Sequence, residues 1–254
     1  SDLARLDLTA ADATLMPTGA ATAWPLSARG RIDIVRSASG WRLAGDALQV
    51  AERADGRGRP RFEVDATLAV AARGDAALDL AVRVLEPADS TAMPWLGALA
   101  ERVFAAESGA RLGAFTIAGG RFALRAQRGR DAAWQLEDSR GELAISAADF
   151  RPDREWPAVN DAGGRLRWDA RSLRFEFERG DVGGLRLLRG ALERGATPRW
   201  TFTLDGPVDA ALATLRASPL GARMPREFGS VALRGRARFD VSVAGAPAGV
   251  TATG

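Results

Sequence analysis

Apolar side chains occupy every second position along most of this chain, in short runs separated by Gly, Asp or Pro. Two such runs stand on either side of a polar joint within residues 163–184, and they consist of Leu166, Trp168, Leu173, Phe175 and Phe177. Alternation with a period of two predicts strands that bury one face, and joints this short predict antiparallel neighbours. The chain is therefore predicted to be a succession of antiparallel strands.

Two segments instead have the spacing of an amphipathic helix. The first covers residues 91–109, and the second covers residues 207–217, where Leu212 and Leu215 share a face. Pro207 stands where a proline is tolerated at a helix start. Both predicted helices are short, so together they can cover only a fraction of the sheet.

A set of three landmarks occurs twice along the chain. LDLTAAD begins at Leu6 and LAISAAD begins at Leu143, and each precedes a Trp-Pro pair and then a Gly-Arg-aliphatic strand start. We interpret this pattern as an internal repeat, which predicts a continuous arrangement without a true linker. The predicted parts are a first β-groove repeat over residues 1–90, a helix insertion over 91–109, and a second β-groove repeat over 110–254 that includes the helix at 207–217.

The composition argues against catalysis. Among 254 residues there is no cysteine and no histidine, which removes disulfides, thiolate nucleophiles, the usual general base and the usual metal ligands. Gly183 and Gly184 are interpreted as hairpin or bulge glycines rather than as a phosphate-binding loop. We therefore expect no enzyme activity, no catalytic residue, no metal site and no cofactor.

The charge pattern argues against nucleic acid as a partner. The chain carries 35 basic and 32 acidic side chains, and the acidic residues accompany the arginines along each predicted strand. Phosphate-backbone binding requires a concentrated basic stripe, which this arrangement does not provide. A solvated face of mixed charge and no nucleic-acid partner are predicted.

The apolar face needs a cover, which can be a second sheet, helices or a ligand. Moving a lipid with two acyl chains through water exposes roughly thirty methylenes, at a cost of about 25 kcal/mol. A sheet whose apolar face is left open could remove most of that cost. The fold class favoured here is mainly β: an elongated, curved antiparallel sheet that forms an open hydrophobic groove, with two short amphipathic helices.

The candidate site is the apolar face of the most regular strands. The side chains predicted to line the groove and to bind acyl chains are Phe122, Leu124, Leu143, Ile145, Leu166, Trp168, Leu173, Phe175, Phe177, Trp200, Phe202 and Leu204. If the groove is open, an arginine at Phe175 is expected to impair lipid passage with a modest loss of folding stability, because the charge can reach water.

The motifs resemble a known family. Residues 141–187, followed by residues 200–220, resemble the central region of YhdP-type proteins of the AsmA-like superfamily. The similar elements are Trp156-Pro157, Gly164 to Trp168, Gly183-Gly184, Gly206-Pro207 and Ser218-Pro219-Leu220. The segment from Met93 to Phe104 is similar to a helix that precedes a strand repeat in these proteins.

This resemblance implies a segment of a periplasm-spanning lipid conduit in the cell envelope of Gram-negative bacteria. The conduit would shield phospholipid acyl chains during inner-to-outer membrane transport. The implied location is the periplasmic part of an inner-membrane-anchored envelope protein, which meets the inner and outer membranes through parts absent from this segment. The alternative is a structural or adhesive β-sandwich array that acts as a spacer or partner-binding module, and a carbohydrate-active domain is a third hypothesis.

Overall fold

The structure, a computed structural model, describes residues 2–15, 24–52, 61–90, 111–130, 132–151, 155–194, 199–224, 234–244 and 250–253. The helix predicted over residues 91–109 lies outside these residues.

Strands account for most of the described chain. They are β1 (Asp2–Leu15), β2 (Trp24–Ser37), β3 (Gly40–Glu52), β4 (Phe62–Ala71), β5 (Ala76–Val84), β6 (Ala88–Asp89), β7 (Arg111–Arg128), β8 (Gln135–Arg151), β9 (Asn160–Trp168), β10 (Leu173–Val182), β11 (Leu185–Arg194), β12 (Arg199–Pro207), β13 (Arg236–Ala244) and β14 (Val250–Thr253). Within the described residues one α-helix, α1 (Val208–Arg216), and one 3₁₀ turn, Gly221–Arg223, accompany them.

Strands that are adjacent in the sequence are also adjacent in the sheet. The order is β1-β2-β3-β4-β5-β7-β8-β9-β10-β11-β12-β13-β14, and the two-residue strand β6 pairs with β7. No pairing among the described residues joins β1 to β14, so the antiparallel sheet is open. The predicted fold class, a mainly β protein with an open antiparallel sheet, is confirmed.

The chain folds into two compact units. Unit 1 comprises Ser1–Ala88, Ala118–Leu143 and Trp168–Ala170, and unit 2 comprises Asp89–Ile117, Ala144–Arg167 and Arg171–Gly254. The first boundary lies close to the predicted end of the first repeat at residue 90. The later segments of unit 1 fall within the range predicted for the second repeat, because β7 and β8 are long strands that each contribute to both units.

Helix α1 confirms the helix predicted over residues 207–217. Pro207 is its N-cap and has extended backbone angles, φ −62° and ψ 139°, so the helix starts one residue later than predicted. Asp209 in the first turn and Arg216 in the last turn complement the helix dipole. Ala211 and Leu212 are buried and attach the helix to unit 2.

The turn between β10 and β11 explains the glycine pair. Gly183 and Gly184 have φ values of +61° and +84°, a conformation that side chains rarely adopt. Two successive residues of this kind are typical of the tight turns that match the twist of a hairpin. The backbone N–H of Gly184 donates to Asp181 Oδ1 at 3.0 Å. Of the two alternatives, a hairpin or a bulge, the structure shows a two-residue hairpin turn.

Candidate functional site

All of the predicted groove residues except Leu124 are buried. Unit 1 contains Phe122, Leu124, Leu143 and Trp168. Unit 2 contains Ile145, Leu166, Leu173, Phe175, Phe177, Trp200, Phe202 and Leu204. The predicted set is thus divided between the two units, and in neither unit are its rings open to solvent.

In unit 2 the predicted aromatic residues form a packed core. The ring of Phe175 lies 4.2 Å from that of Phe177, and the ring of Phe150 lies 5.5 Å from that of Phe177. Only 1% of Phe175 and 2% of Phe177 is accessible to solvent. Phe202 contacts Phe177 at a ring distance of 5.6 Å. These side chains cover one another, so the expected effect of an arginine at Phe175 has to be revised.

In unit 1 the two predicted aromatic residues also pack together. The ring centroids of Phe122 and Trp168 are 6.3 Å apart. The indole N–H of Trp168 donates to Ser139 Oγ at 2.7 Å, so its polar group is satisfied inside the protein. Trp168 is a packed residue of the apolar face, as its place in an alternating run predicted.

A different set of apolar side chains in unit 1 is only half-buried. In one row Ile34 pairs with Leu43, Leu43 with Leu68, and Leu68 with Leu78. The next row contains Ile32, and it runs through Ala66 and Leu80 to Leu124. Directly paired residues of antiparallel strands project from the same face. We call this surface the open face, and its half-buried residues are Ile32, Ile34, Leu43, Ala66, Leu68, Leu78, Leu80, Leu124 and Ala126.

The open face continues onto the first strand. Leu6 pairs with Ile32 and is 47% exposed. From β1 to β7 the face therefore crosses six neighbouring strands, which at a spacing of about 4.8 Å corresponds to roughly 24 Å. A contiguous apolar patch that stays partly accessible to solvent marks a binding surface more often than isolated exposed residues do.

The opposite face of unit 1 carries paired charges. Arg5 donates to Asp33 at 2.9 Å, and Arg125 donates to Asp79 at 2.7 Å, in both cases across adjacent strands. The hydrogen bond from Arg5 lowers the pKa of Asp33, and the hydrogen bond to Asp79 raises the pKa of Arg125. The predicted solvated face of mixed charge corresponds to this surface.

A hollow of about 690 Å³ with a lining of mixed polarity lies in unit 1. The predicted residues Phe122 and Trp168 line it. Its charged lining residues are Arg83, Arg121, Arg140, Glu63, Asp65 and Glu142, and Glu63 and Arg83 form an ion pair. A lining of both charge signs does not favour an anion or a cation. The described residues contain no group of three acidic side chains placed to hold a metal ion.

Unit 2 contains an apolar pocket of about 150 Å³ between α1 and the neighbouring strands. We call it the helix pocket, and its lining includes Trp156, Leu185, Phe202, Leu204, Leu215 and Phe239. Phe202 and Leu204 belong to the predicted set, and Trp156 belongs to the Trp156-Pro157 joint. Trp156 packs against Trp200, with ring centroids 6.0 Å apart, and it also forms one wall of the pocket.

No helix in the described part of the chain is both long and apolar enough to cross a membrane.

Comparisons of the chain with protein-family models, curated proteins and solved structures yield no match. The resemblance to YhdP-type proteins of the AsmA-like superfamily therefore stays a prediction from the motifs, and the function has to be proposed from the geometry of the two units.

Proposed function

We propose that this chain is a segment of a lipid conduit, in which the open face of unit 1 shields phospholipid acyl chains on their way between the inner and outer membranes of a Gram-negative cell envelope. The observation that carries the proposal is the double row of half-buried aliphatic side chains, which includes Leu68, Leu80 and Leu124.

The chemistry of the open face suits a hydrocarbon chain. Each methylene removed from water contributes about 0.8 kcal/mol, and the side chains available on this face are aliphatic. Aliphatic surfaces give no directional preference, so an acyl chain can slide along them without breaking hydrogen bonds. The ion pairs on the opposite face keep that side of the sheet in contact with water.

The sheet topology favours a conduit over the alternative of a spacer built from β-sandwiches. A sandwich covers its apolar face with a second packed sheet. Here the thirteen strands in sequence order belong to one open sheet, and Leu78 and Leu80 stay half-exposed.

The proposal is tested by placing a photo-crosslinking amino acid at Leu80 in the full-length protein in cells. The matched control is the same amino acid at Ala81, the next residue along β5, which projects from the opposite face and is exposed. We expect lipid adducts at Leu80 and none at Ala81.

A second crosslinking site at Leu68, which pairs with Leu78 and lies on the open face, tests the same surface independently of any local disturbance of β5 caused by replacing Leu80. Crosslinks to protein alone at both Leu68 and Leu80 would contradict the conduit and would favour the spacer, since a partner protein would then occupy this face.

A further inference from the structure

The open face of unit 1 ends at a row that contains arginine and tryptophan. Arg36 pairs with Trp41, Trp41 with Val70, Val70 with Ala76, and Ala76 with Arg128. Directly paired residues of antiparallel strands project from the same face. The row lies two residues further along each strand than the nearest aliphatic row of the open face, a distance of about 7 Å. We call it the rim row, and in it guanidinium groups border hydrocarbon on a single face.

Each arginine of the rim row lies over a tryptophan ring. The guanidinium carbon of Arg36 is 5.2 Å from the ring centroid of Trp41. That of Arg128 is 5.3 Å from the ring centroid of Trp134, the residue just before β8. Trp41 is 46% exposed and Trp134 is 37% exposed. An aromatic ring attracts a cation without neutralising it, so both pairs keep a full positive charge.

These two arginines differ from the ion-paired arginines on the opposite face of unit 1. There Arg125, for example, is paired with Asp79 across adjacent strands. Arg36 and Arg128 form no ion pair or hydrogen bond with any residue that the structure describes. The planar guanidinium matches phosphate particularly well, because it can donate two parallel hydrogen bonds to it. The rim row therefore presents two cations that suit a phosphate group.

The two arginine–tryptophan pairs are too far apart to hold the same anion. From β2, which carries Arg36, to β7, which carries Arg128, there are four strand spacings, or about 19 Å. A hydrogen bond to a phosphate oxygen spans only about 3 Å. Each pair is therefore a separate site, and each borders its own part of the open face.

We propose that each arginine–tryptophan pair of the rim row binds the phosphate group of a phospholipid whose acyl chains lie on the open face. A phospholipid joins an anionic phosphate to hydrocarbon, and this edge of unit 1 joins guanidinium groups to aliphatic side chains. The inference rests on the proposed function, since it concerns the head-group end of the same lipid. It adds a preference for a lipid that carries phosphate over an uncharged lipid with the same chains.

The test compares three probes on the full chain: dihexanoylphosphatidylglycerol, dihexanoylglycerol, which has the same acyl chains without phosphate, and inorganic phosphate. Indole N–H signals of Trp41 and Trp134 in NMR spectra report on the rim row, and methyl signals of Leu68 and Leu80 report on the open face. We expect dihexanoylphosphatidylglycerol to shift all four signals and to bind more tightly than either of the other probes. Dihexanoylglycerol should shift the leucine signals.

Two variants separate the two sites. Arg36→Gln should weaken the affinity for dihexanoylphosphatidylglycerol measured at Trp41 about 2- to 5-fold, the range of one exposed ion pair, and leave the affinity measured at Trp134 unchanged. Arg128→Gln should do the reverse. Neither variant should change the binding of dihexanoylglycerol. Arg42→Gln is the matched control, because Arg42 is exposed and projects from the opposite face of β3, and it should change neither affinity.

A third variant tests the sign of the charge effect. The rim row continues to Asp2 on β1, which pairs with Arg36. Asp2→Asn removes a negative charge from the row, so it should tighten the binding of dihexanoylphosphatidylglycerol at Trp41. A weaker affinity in this variant would contradict a phosphate site at Arg36.

The proposal is overturned if the two lipids bind with equal affinity, or if Arg36→Gln and Arg128→Gln, while folded, leave the affinity for dihexanoylphosphatidylglycerol unchanged. It is also overturned if inorganic phosphate binds as tightly as the lipid, since the rim row would then be a site for a free anion. These results leave the proposed function standing as long as dihexanoylglycerol shifts the signals of Leu68 and Leu80. If neither lipid shifts those signals, the proposed function itself fails.

Discussion

Gly190 pairs directly with Phe202, and a Cβ atom at Gly190 would lie only 2.6 Å from Cδ1 of that ring. On its other side Gly190 pairs with Phe177. The rings of Phe177 and Phe202 therefore contact each other across the glycine strand, at 5.6 Å. This arrangement lets side chains two strands apart contact each other on one face of the sheet in unit 2.

Gly190→Ala should destabilise the protein by about 1–3 kcal/mol, because the added methyl group overlaps the Phe202 ring and the nearby carbonyl of Thr201. Gly119→Ala is the matched control, since a Cβ atom at Gly119 would have no neighbour within 4 Å. Chemical denaturation of both variants measures the difference. Equal stabilities would show that the ring of Phe202 moves aside without cost.

Leu80→Arg and Phe175→Arg should both lower the stability of the protein, but by very different amounts. Leu80 is half-buried on the open face, so the new guanidinium can reach water and the loss of stability should stay within about 1 kcal/mol. Phe175 is 1% exposed, and an unpaired buried charge there should cost about 3–5 kcal/mol. Thermal melts separate these outcomes.

The same pair bears on the proposed function. Leu80→Arg should impair lipid transport while leaving the chain folded. If Leu80→Arg instead unfolds the protein as Phe175→Arg does, the open face is covered in solution and cannot receive an acyl chain.

Thr214→Val and Thr203→Val should change stability in opposite directions. Thr214 has a buried hydroxyl without a partner in the described residues, so its replacement by an isosteric methyl should raise the free energy of unfolding by up to about 1 kcal/mol. Thr203 donates to Asp240 at 2.6 Å and accepts from Arg189 at 3.3 Å. Its replacement should cost about 1–2 kcal/mol. Denaturation in urea tests both, and a loss of stability in Thr214→Val would indicate that its hydroxyl is satisfied in solution.

Asp205 should contribute pH-dependent stability. The hydrogen bond from Arg236, at 2.8 Å, and the charges of Arg236 and Arg186 lower the pKa of the Asp205 carboxyl. A carboxyl with a lowered pKa in the folded state stabilises the protein fully above its ordinary pKa of about 3.9, and this contribution is lost as the pH falls through the lowered value.

A carbon-13 NMR titration of the Asp205 carboxyl measures this effect. We expect a midpoint below the ordinary value in the wild type and a rise toward that value in Arg236→Gln, which removes the main cause. An unchanged midpoint in Arg236→Gln would show that the hydrogen bond is not maintained in solution.

Strand β5 shows how far alternation predicts this structure. Leu78, Leu80, Val82 and Val84 occupy alternate positions, which predicts that they share one face of a strand, and the structure places them so. Val82 and Val84 are buried, however, whereas Leu78 and Leu80 are half-buried. The period of two is the same at all four positions, so it could not distinguish a covered part of the face from an uncovered one.

The candidate groove set shows the same limit. Its members lie on the strands with the most regular alternation, and apart from Leu124 those side chains are buried. Large rings such as Phe175 and Phe177 fill the space above their own sheet. The smaller aliphatic residues of unit 1 cover less of each other, and the open face lies there. The helix pocket had no sequence signal beyond the Trp156-Pro157 joint and the amphipathic pattern of α1.

The sequence by itself determined the local features: which residues share a face, the antiparallel order that short joints impose, the glycine turn after Val182 and the helix after Pro207. These depend on neighbours along the chain, whose geometry the backbone sets. Tertiary structure alone decided which apolar side chains are covered. That outcome depends on contacts between strands that are not neighbours, such as the contact of Phe177 with Phe202 across Gly190, and on where α1 packs. The period of two along the sequence carries no information about such contacts.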